Sequence, residues 1–109
     1  MWMLFDEGKS INTRGSESGL ILRDEEHSTG ARITLERGGY TPFSITCGIY
    51  GWMFHTAFFS SEPEAQTAFD KMKVALEKIL NLIPLTDDPN VTAKSEVVSD
   101  AISDFVSQF

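Results

Sequence analysis

The chain is poor in the residues that mark disulfide-rich secreted domains and nucleic-acid binders. It has one cysteine in 109 residues, so it cannot form an internal disulfide, and the class of small disulfide-stapled domains is excluded. Nine Lys and Arg stand against 16 Asp and Glu, which gives a formal net charge of −7. Because a field of that sign repels phosphate groups, we expect no nucleic acid and no anionic membrane surface as a partner. A basic protein is easier for this chain to attract.

Long hydrophobic runs are missing as well. No apolar stretch approaches the roughly 20 residues that cross a bilayer. The apolar opening MWMLF meets Asp6 after five residues and has no basic residue before it, which is unlike a secretory signal. We therefore expect a cytoplasmic protein.

The residue patterns of most catalytic and metal sites do not occur. His27, His55 and Cys47 stand at none of the short spacings that zinc sites use. The glycines of the segment GIYG are followed by neither a lysine nor a helix, so they do not predict a phosphate loop. We expect no metal, no cofactor and no catalytic residues, and hence a protein that is not an enzyme.

The first half of the chain predicts strands. Residues 31–37 alternate apolar and polar side chains, residues 20–23 are a short apolar strand candidate, and residues 43–59 read as two strands around a turn. Residues 1–5 are a further strand candidate. Residues 6–19 are polar and rich in glycine and serine, which predicts a loop. Residues 24–30 read as a turn region whose ends could extend the neighbouring strands.

The second half predicts two helices. From Ser61 the apolar residues recur at three- and four-residue steps, which is typical of an amphipathic helix over about 62–83 that Pro84 ends. A second stripe predicts a helix over about 91–108, after a linker over 84–90. The fold class that follows is α+β in one domain, 1–109: an antiparallel meander of four to five strands within residues 1–60, then a long helix packed on one sheet face and a shorter C-terminal helix.

The facing of side chains depends on the length of each turn. A three-residue loop over 38–40 sorts the apolar residues best and pairs Leu35 with Phe43. A two- or four-residue loop centred on Tyr50 and Gly51 likewise gives one apolar face and pairs Cys47 with Phe54.

These registers place Cys47 and His55 on opposite faces of the sheet, so Cys47 is predicted to be a core thiol. A three-residue loop over 49–51 is the alternative that brings the two residues onto one face as diagonal neighbours. That alternative buries His55 and places the aromatic Phe54 and Phe58 with polar neighbours.

Two candidate sites remain. On the polar face, Arg32, Thr46 and His55 form a predicted row of hydrogen-bond donors that could bind a carboxylate. The second candidate is an interface, since aromatic residues and methionine are favoured there. Its residues are Trp52, Met53, Phe105 and Phe109.

Three functions follow as hypotheses. The first is a small acidic, non-catalytic protein-interaction module that forms a homodimer or binds a basic protein partner. The second is a module that binds a small anion or carboxylate on the polar sheet face. The third is a cysteine-dependent enzyme, which would need the Cys47 thiolate beside a base.

Overall fold

Five antiparallel strands followed by two helices make up the computed structural model, which describes residues 1–109. The sheet order is β1-β2-β3-β4-β5, a simple meander. The elements are β1 Trp2–Leu4, β2 Leu20–His27, β3 Ala31–Arg37, β4 Phe43–Ile49, β5 Met53–Phe59, α1 Glu62–Leu80 and α2 Val91–Gln108. The predicted α+β fold is confirmed, including a strand at the beginning of the chain.

The hydrophobic core lies between one face of the sheet, here called the inner face, and α1. The helix begins at Glu62, where the Ser61 hydroxyl accepts a hydrogen bond from the Glu64 amide at 3.4 Å. Phe69, Met72 and Leu76 are fully buried against strands β3 to β5. Burial of side chains of this size stabilises the fold by about 1.5–3 kcal/mol each.

Helix α1 ends at Leu80, three residues before the predicted end. The amides of Leu82 and Ile83 donate to the carbonyls of Ile79 and Leu80, which is the tighter bonding of a closing turn. The residue before Pro84 resists the helical region, and the unwinding begins ahead of it. The predicted bounds of α2 are confirmed, and Val98 and Phe105 are its buried residues.

Strand β2 runs to His27, so the residues first read as a turn region are mostly strand. The charged residues of β2 that point to the inner face are accommodated because each finds a partner on α1. On the inner face, Arg23 contacts Asp70 at 3.1 Å, Glu25 contacts Lys73 at 2.6 Å, and His27 contacts Glu77 at 2.9 Å. Steps of two residues along the strand match steps of three and four along the helix. These contacts join β2 to α1 beside the hydrophobic core.

The predicted register of the β3–β4 hairpin is wrong by two positions. The connection spans five residues, 38–42, and the Gly38 amide donates to the Pro42 carbonyl at 2.8 Å. Leu35 therefore pairs with Ile45 and Arg37 with Phe43. A shift of two residues leaves every side chain on the predicted face, so the inner face of β3 is the expected one.

The predicted register of the β4–β5 hairpin is wrong in a way that exchanges faces. The turn has three residues, 50–52, with Ile49 paired to Met53 and Gly51 at φ +81°. The Trp52 amide donates to the Ile49 carbonyl at 2.9 Å and closes the turn. On β5 the side chains of the odd-numbered residues point to the inner face. These residues are Met53, His55, Ala57 and Phe59. Phe54 and Phe58 point to the opposite face, here called the outer face.

The polar segment over residues 5–19 folds across part of the outer face. Phe5 lies over the Arg32 guanidinium, with 3.5 Å from Cζ to the ring centroid. Asp6 and Glu7 take left-handed φ angles of 48° and 56° as the chain turns out of β1. Further along, the segment returns to the sheet beside β2 and β3, where it donates hydrogen bonds to two buried carboxylates.

Candidate functional site

Cys47 and His55 are cross-strand partners on the inner face, which overturns the prediction of opposite faces. No hydrogen bond joins the thiol to the imidazole. Cys47 is 1% exposed, and burial raises the pKa of its thiol to about 12. A nucleophilic thiolate is therefore strongly disfavoured at neutral pH. Cys47 is a core thiol, as predicted, although its neighbours differ.

His55, the other member of the pair, has an unsatisfied polar atom. Its Nε2 atom is buried and has no hydrogen-bond partner. Its ring meets the ring of Phe105 from α2 edge to face, with centroids 6.1 Å apart. A buried polar atom without a partner costs free energy, so it is a feature to be explained.

The predicted row of Arg32, Thr46 and His55 does not form. Arg32 and Thr46 lie on the outer face, whereas His55 lies on the inner one. Thr46 instead stands between Thr34 and Thr56 across the three strands, with its hydroxyl 3.4 Å from that of Thr56. Two of the three predicted residues thus share the outer face.

A buried cluster around Asp24 holds Arg32 in place. Asp24 is fully buried and accepts from Arg32 Nε at 3.0 Å, from Arg32 Nη2 at 2.7 Å and from Thr34 Oγ1 at 3.0 Å. The Ser10 hydroxyl donates a fourth hydrogen bond at 2.8 Å. The hydrogen bonds from the Arg32 guanidinium to Asp24 raise the pKa of Arg32, because the carboxylate favours its charged form. Arg32 Nη1 donates to no protein acceptor.

Glu36 anchors the other end of the polar segment. It is fully buried, and its Oε1 accepts from the amides of Glu17 at 3.1 Å and Gly19 at 3.0 Å. A Cβ at Gly15 would overlap the carboxylate, so only glycine fits this close approach. Ser44, the cross-strand partner of Glu36, has a buried hydroxyl without a hydrogen-bond partner.

Between the anchored segment and the sheet lies a cleft of about 620 Å³. One wall is the chain from Ser10 to Ser16, and the other is the outer face of β3 and β4 with the turn at 50–51. Arg32, Thr34 and Thr46 line its floor, and Arg14, Tyr50 and Phe54 line its sides. We call this space the outer cleft. Its volume is in the range that small ligands occupy.

The predicted interface residues are divided between surface and core. Trp52 is 36% exposed at the β4–β5 turn, and Met53 is half-buried on the inner face. Phe105 is 3% exposed and packs in the core, with Phe109 beside it at 4.9 Å between ring centroids. The more exposed aromatic residues of the β4–β5 hairpin are Tyr50, Phe54 and Phe58.

The site residues predicted from the sequence do not include Asp24, Glu36 or Arg14. A signal for the first two exists: extending β2 through DEEH places Asp24 beside Arg32 on the outer face, and the alternation of β3 puts Glu36 on that same face. The position of Arg14 depends on how a loop crosses the sheet, which no periodicity encodes.

No group of three or more His, Cys, Asp and Glu side chains is arranged to hold a metal ion. Neither helix has the length and apolarity to cross a membrane. Comparison with protein-family models, with curated proteins and with solved structures finds no match to this chain.

Proposed function

We propose that this protein is a non-catalytic interaction module that pairs with a second copy of itself through the free edge of β5. The observation that carries the proposal is the nature of that edge. β5 is the last strand in the sheet and has seven residues without a charge or a proline. Long edges of this kind are pairing sites unless they are protected. The opposite edge, β1, is only three residues long.

The aromatic residues beside the edge support the same partner. Phe54 is 75% exposed and Phe58 is 56% exposed, and both lie on the outer face of β5. Antiparallel pairing of two copies about Thr56 would place each Phe54 opposite Phe58 of the second copy. Aromatic cross-strand pairs stabilise such a contact by about 0.5–1 kcal/mol each. The contact is then self-complementary, as a two-fold dimer requires.

Because the chain is acidic, the salt dependence of its association distinguishes a second copy from a basic protein partner. Two copies that each carry a charge of −7 repel each other, so salt should strengthen their association by screening. Association with a basic protein would weaken as salt increases. The direction of the salt effect therefore separates the two partners named by the interaction hypothesis.

The test is sedimentation equilibrium of the wild-type chain over roughly 5–200 µM, at salt concentrations from about 50 to 500 mM. We expect a monomer–dimer equilibrium that tightens with salt. The Phe58→Lys variant places a charge on the edge and should raise the dissociation constant at least about tenfold. Val74→Lys, at a position that is also 56% exposed but lies on α1, is the matched control and should dimerise like wild type.

A wild-type chain that stays monomeric throughout this range contradicts the proposal. Equal weakening by both lysine variants also contradicts it, because it would show a general effect of charge. Circular dichroism and thermal melts of both variants establish that they remain folded.

A further inference from the structure

The outer cleft has an excess of positive hydrogen-bond donors over free carboxylates. Arg14 is exposed and takes part in none of the salt bridges of the structure. Arg32 is held by Asp24 through Nε and Nη2, which leaves Nη1 without an acceptor. Glu36 also lines the cleft, but its Oε1 is taken by the two loop amides. A net-acidic chain thus has two guanidinium groups lining one cleft.

Arg32, on the floor of the outer cleft, is already held in one orientation before any ligand binds. Asp24 fixes its guanidinium in the plane of a bidentate contact, and Phe5 covers one face of that plane at 3.5 Å. A group that is already ordered loses little conformational entropy when it binds a ligand. The planar guanidinium donors suit carboxylate oxygens in geometry and charge.

The rest of the lining suits a flat apolar body. Phe54 is 75% exposed on one side of the cleft, and Tyr50 is 56% exposed at its end. The Tyr50 hydroxyl is held by Glu26 at 2.6 Å. Burial and this hydrogen bond raise the pKa of Tyr50 to about 12, although most of the side chain is exposed. Tyr50 therefore stays neutral beside Arg32, and the hydroxyls of Thr34 and Thr46 add further polar contacts on the floor.

We infer that the outer cleft is a binding site for a small organic carboxylate with a flat aromatic body. The carboxylate is received by Arg14 and the free Nη1 of Arg32, and the body lies along Phe54 and Tyr50. This inference goes beyond self-association, because it requires no second copy. It also differs from the polar row predicted from the sequence, since His55 takes no part in it.

The test uses 2-naphthoate as the probe and 2-naphthylmethanol, its neutral counterpart, as the matched ligand. Amide chemical shifts of the ¹⁵N-labelled full chain are followed during titration with each compound. We expect shifts concentrated at Arg14, Thr34 and Thr46 with 2-naphthoate, and binding by the alcohol at least about fivefold weaker, as for loss of a charge-assisted hydrogen bond.

Arg14→Ala removes a cation that no other side chain needs, so this variant should fold and bind 2-naphthoate about fivefold or more weakly. Arg37→Ala is the matched control: Arg37 is exposed, forms no salt bridge and does not line the cleft. It should bind like wild type. Arg32→Ala is avoided because it would leave Asp24 buried without its partner.

The proposal is overturned by any of three results: no shifts at about 5 mM probe, equal binding of acid and alcohol, or equal weakening by the two alanine variants. Repeating the titration in the Phe58→Lys chain separates the two proposals. Binding retained there shows a site independent of the β5 edge. Binding lost there in a folded chain would overturn the monomeric cleft as the site.

Discussion

Cys47 and His55 lie directly opposite each other on the inner face of β4 and β5, and yet no hydrogen bond joins them. The thiol is buried with a pKa raised to about 12 by desolvation, and the imidazole Nε2 is buried without a partner. Proximity of a thiol and an imidazole is therefore insufficient for nucleophilic chemistry here, because catalysis also needs a stabilised thiolate. Cys47 belongs to the hydrophobic core, and the ring of His55 packs edge to face against Phe105.

Replacing each of the two histidines by leucine should change the free energy of unfolding in opposite directions. His55→Leu should raise the free energy of unfolding by about 1 kcal/mol, because it removes a buried polar atom that has no partner. His27→Leu should lower it by about 1–3 kcal/mol, since His27 contacts Glu77 at 2.9 Å and accepts from the Thr29 amide at 3.1 Å. Urea denaturation of both variants gives the comparison. Marked destabilisation by His55→Leu would show that the imidazole has a role in the fold that the contacts do not reveal.

The Cys47 thiol should be protected from modification in the native state. At about pH 8 we expect a thiol reagent to react at least about 100-fold more slowly with the folded chain than with the chain in urea, since only the thiolate reacts. A spectrophotometric thiol assay with and without denaturant measures both rates. Rapid reaction of the folded protein would revive the cysteine-enzyme hypothesis.

The close approach of Gly15 to Glu36 should appear as coupled energetics. Gly15→Ala is expected to lower stability by about 1–3 kcal/mol, because the new methyl group overlaps the Glu36 carboxylate. The backbone at Gly15 does not have a positive φ, so no conformational penalty is added. In a Glu36→Ala background the same change should cost much less, and a double-mutant cycle measures the difference. Additive effects would show that the two groups do not meet.

Stability should decline in acid, because two carboxylates become protonated and lose the charge that their hydrogen-bond partners stabilise. Hydrogen bonding to His27 lowers the pKa of Glu77 below 4.5, and hydrogen bonding to Lys94 lowers the pKa of Asp88 below 3.8. A carboxylate with a lowered folded-state pKa stabilises the fold above its unfolded-state pKa, and this stabilisation disappears as the pH falls through the folded-state pKa.

Thermal melts between about pH 6 and pH 2 should therefore show the decline beginning below about pH 4.5. The double variant Glu77→Gln/Asp88→Asn should show a shallower decline than wild type over this interval. Parallel curves for the two proteins would contradict the assignment. Both side chains are close to solvent, so the effect should be small and should weaken with added salt.

How far the sequence predicts this protein can be seen in β3 and β5. Alternation along β3 correctly predicted an apolar face with Ile33 and Leu35 and a polar face with Arg32. The prediction works because successive side chains of a strand point to opposite faces of the sheet. Along β5 the local pattern favoured the wrong register, the one that places Phe54 and Phe58 on the apolar face and His55 on the polar face. The register that exposes Phe54 and Phe58 and turns His55 to the inner face could not be chosen from local pattern.

The candidate site shows the same division. Arg32 and Thr46 were found from the sequence because they lie on the polar face of regular strands. Arg14 and the outer cleft were missed, since they exist only where the segment over 5–19 crosses the sheet and is anchored by Asp24 and Glu36.

The sequence by itself determined the order and type of the elements, since helix and strand periods arise from local backbone geometry. It also determined the beginning of α1, through the Ser61 cap. Only the tertiary structure decided which face of β5 is buried, because one residue more or fewer in a glycine-containing turn exchanges the two faces. It likewise decided that two carboxylates are buried, since the segment over 5–19 that bonds to Asp24 and Glu36 follows a path across the sheet that no periodicity encodes.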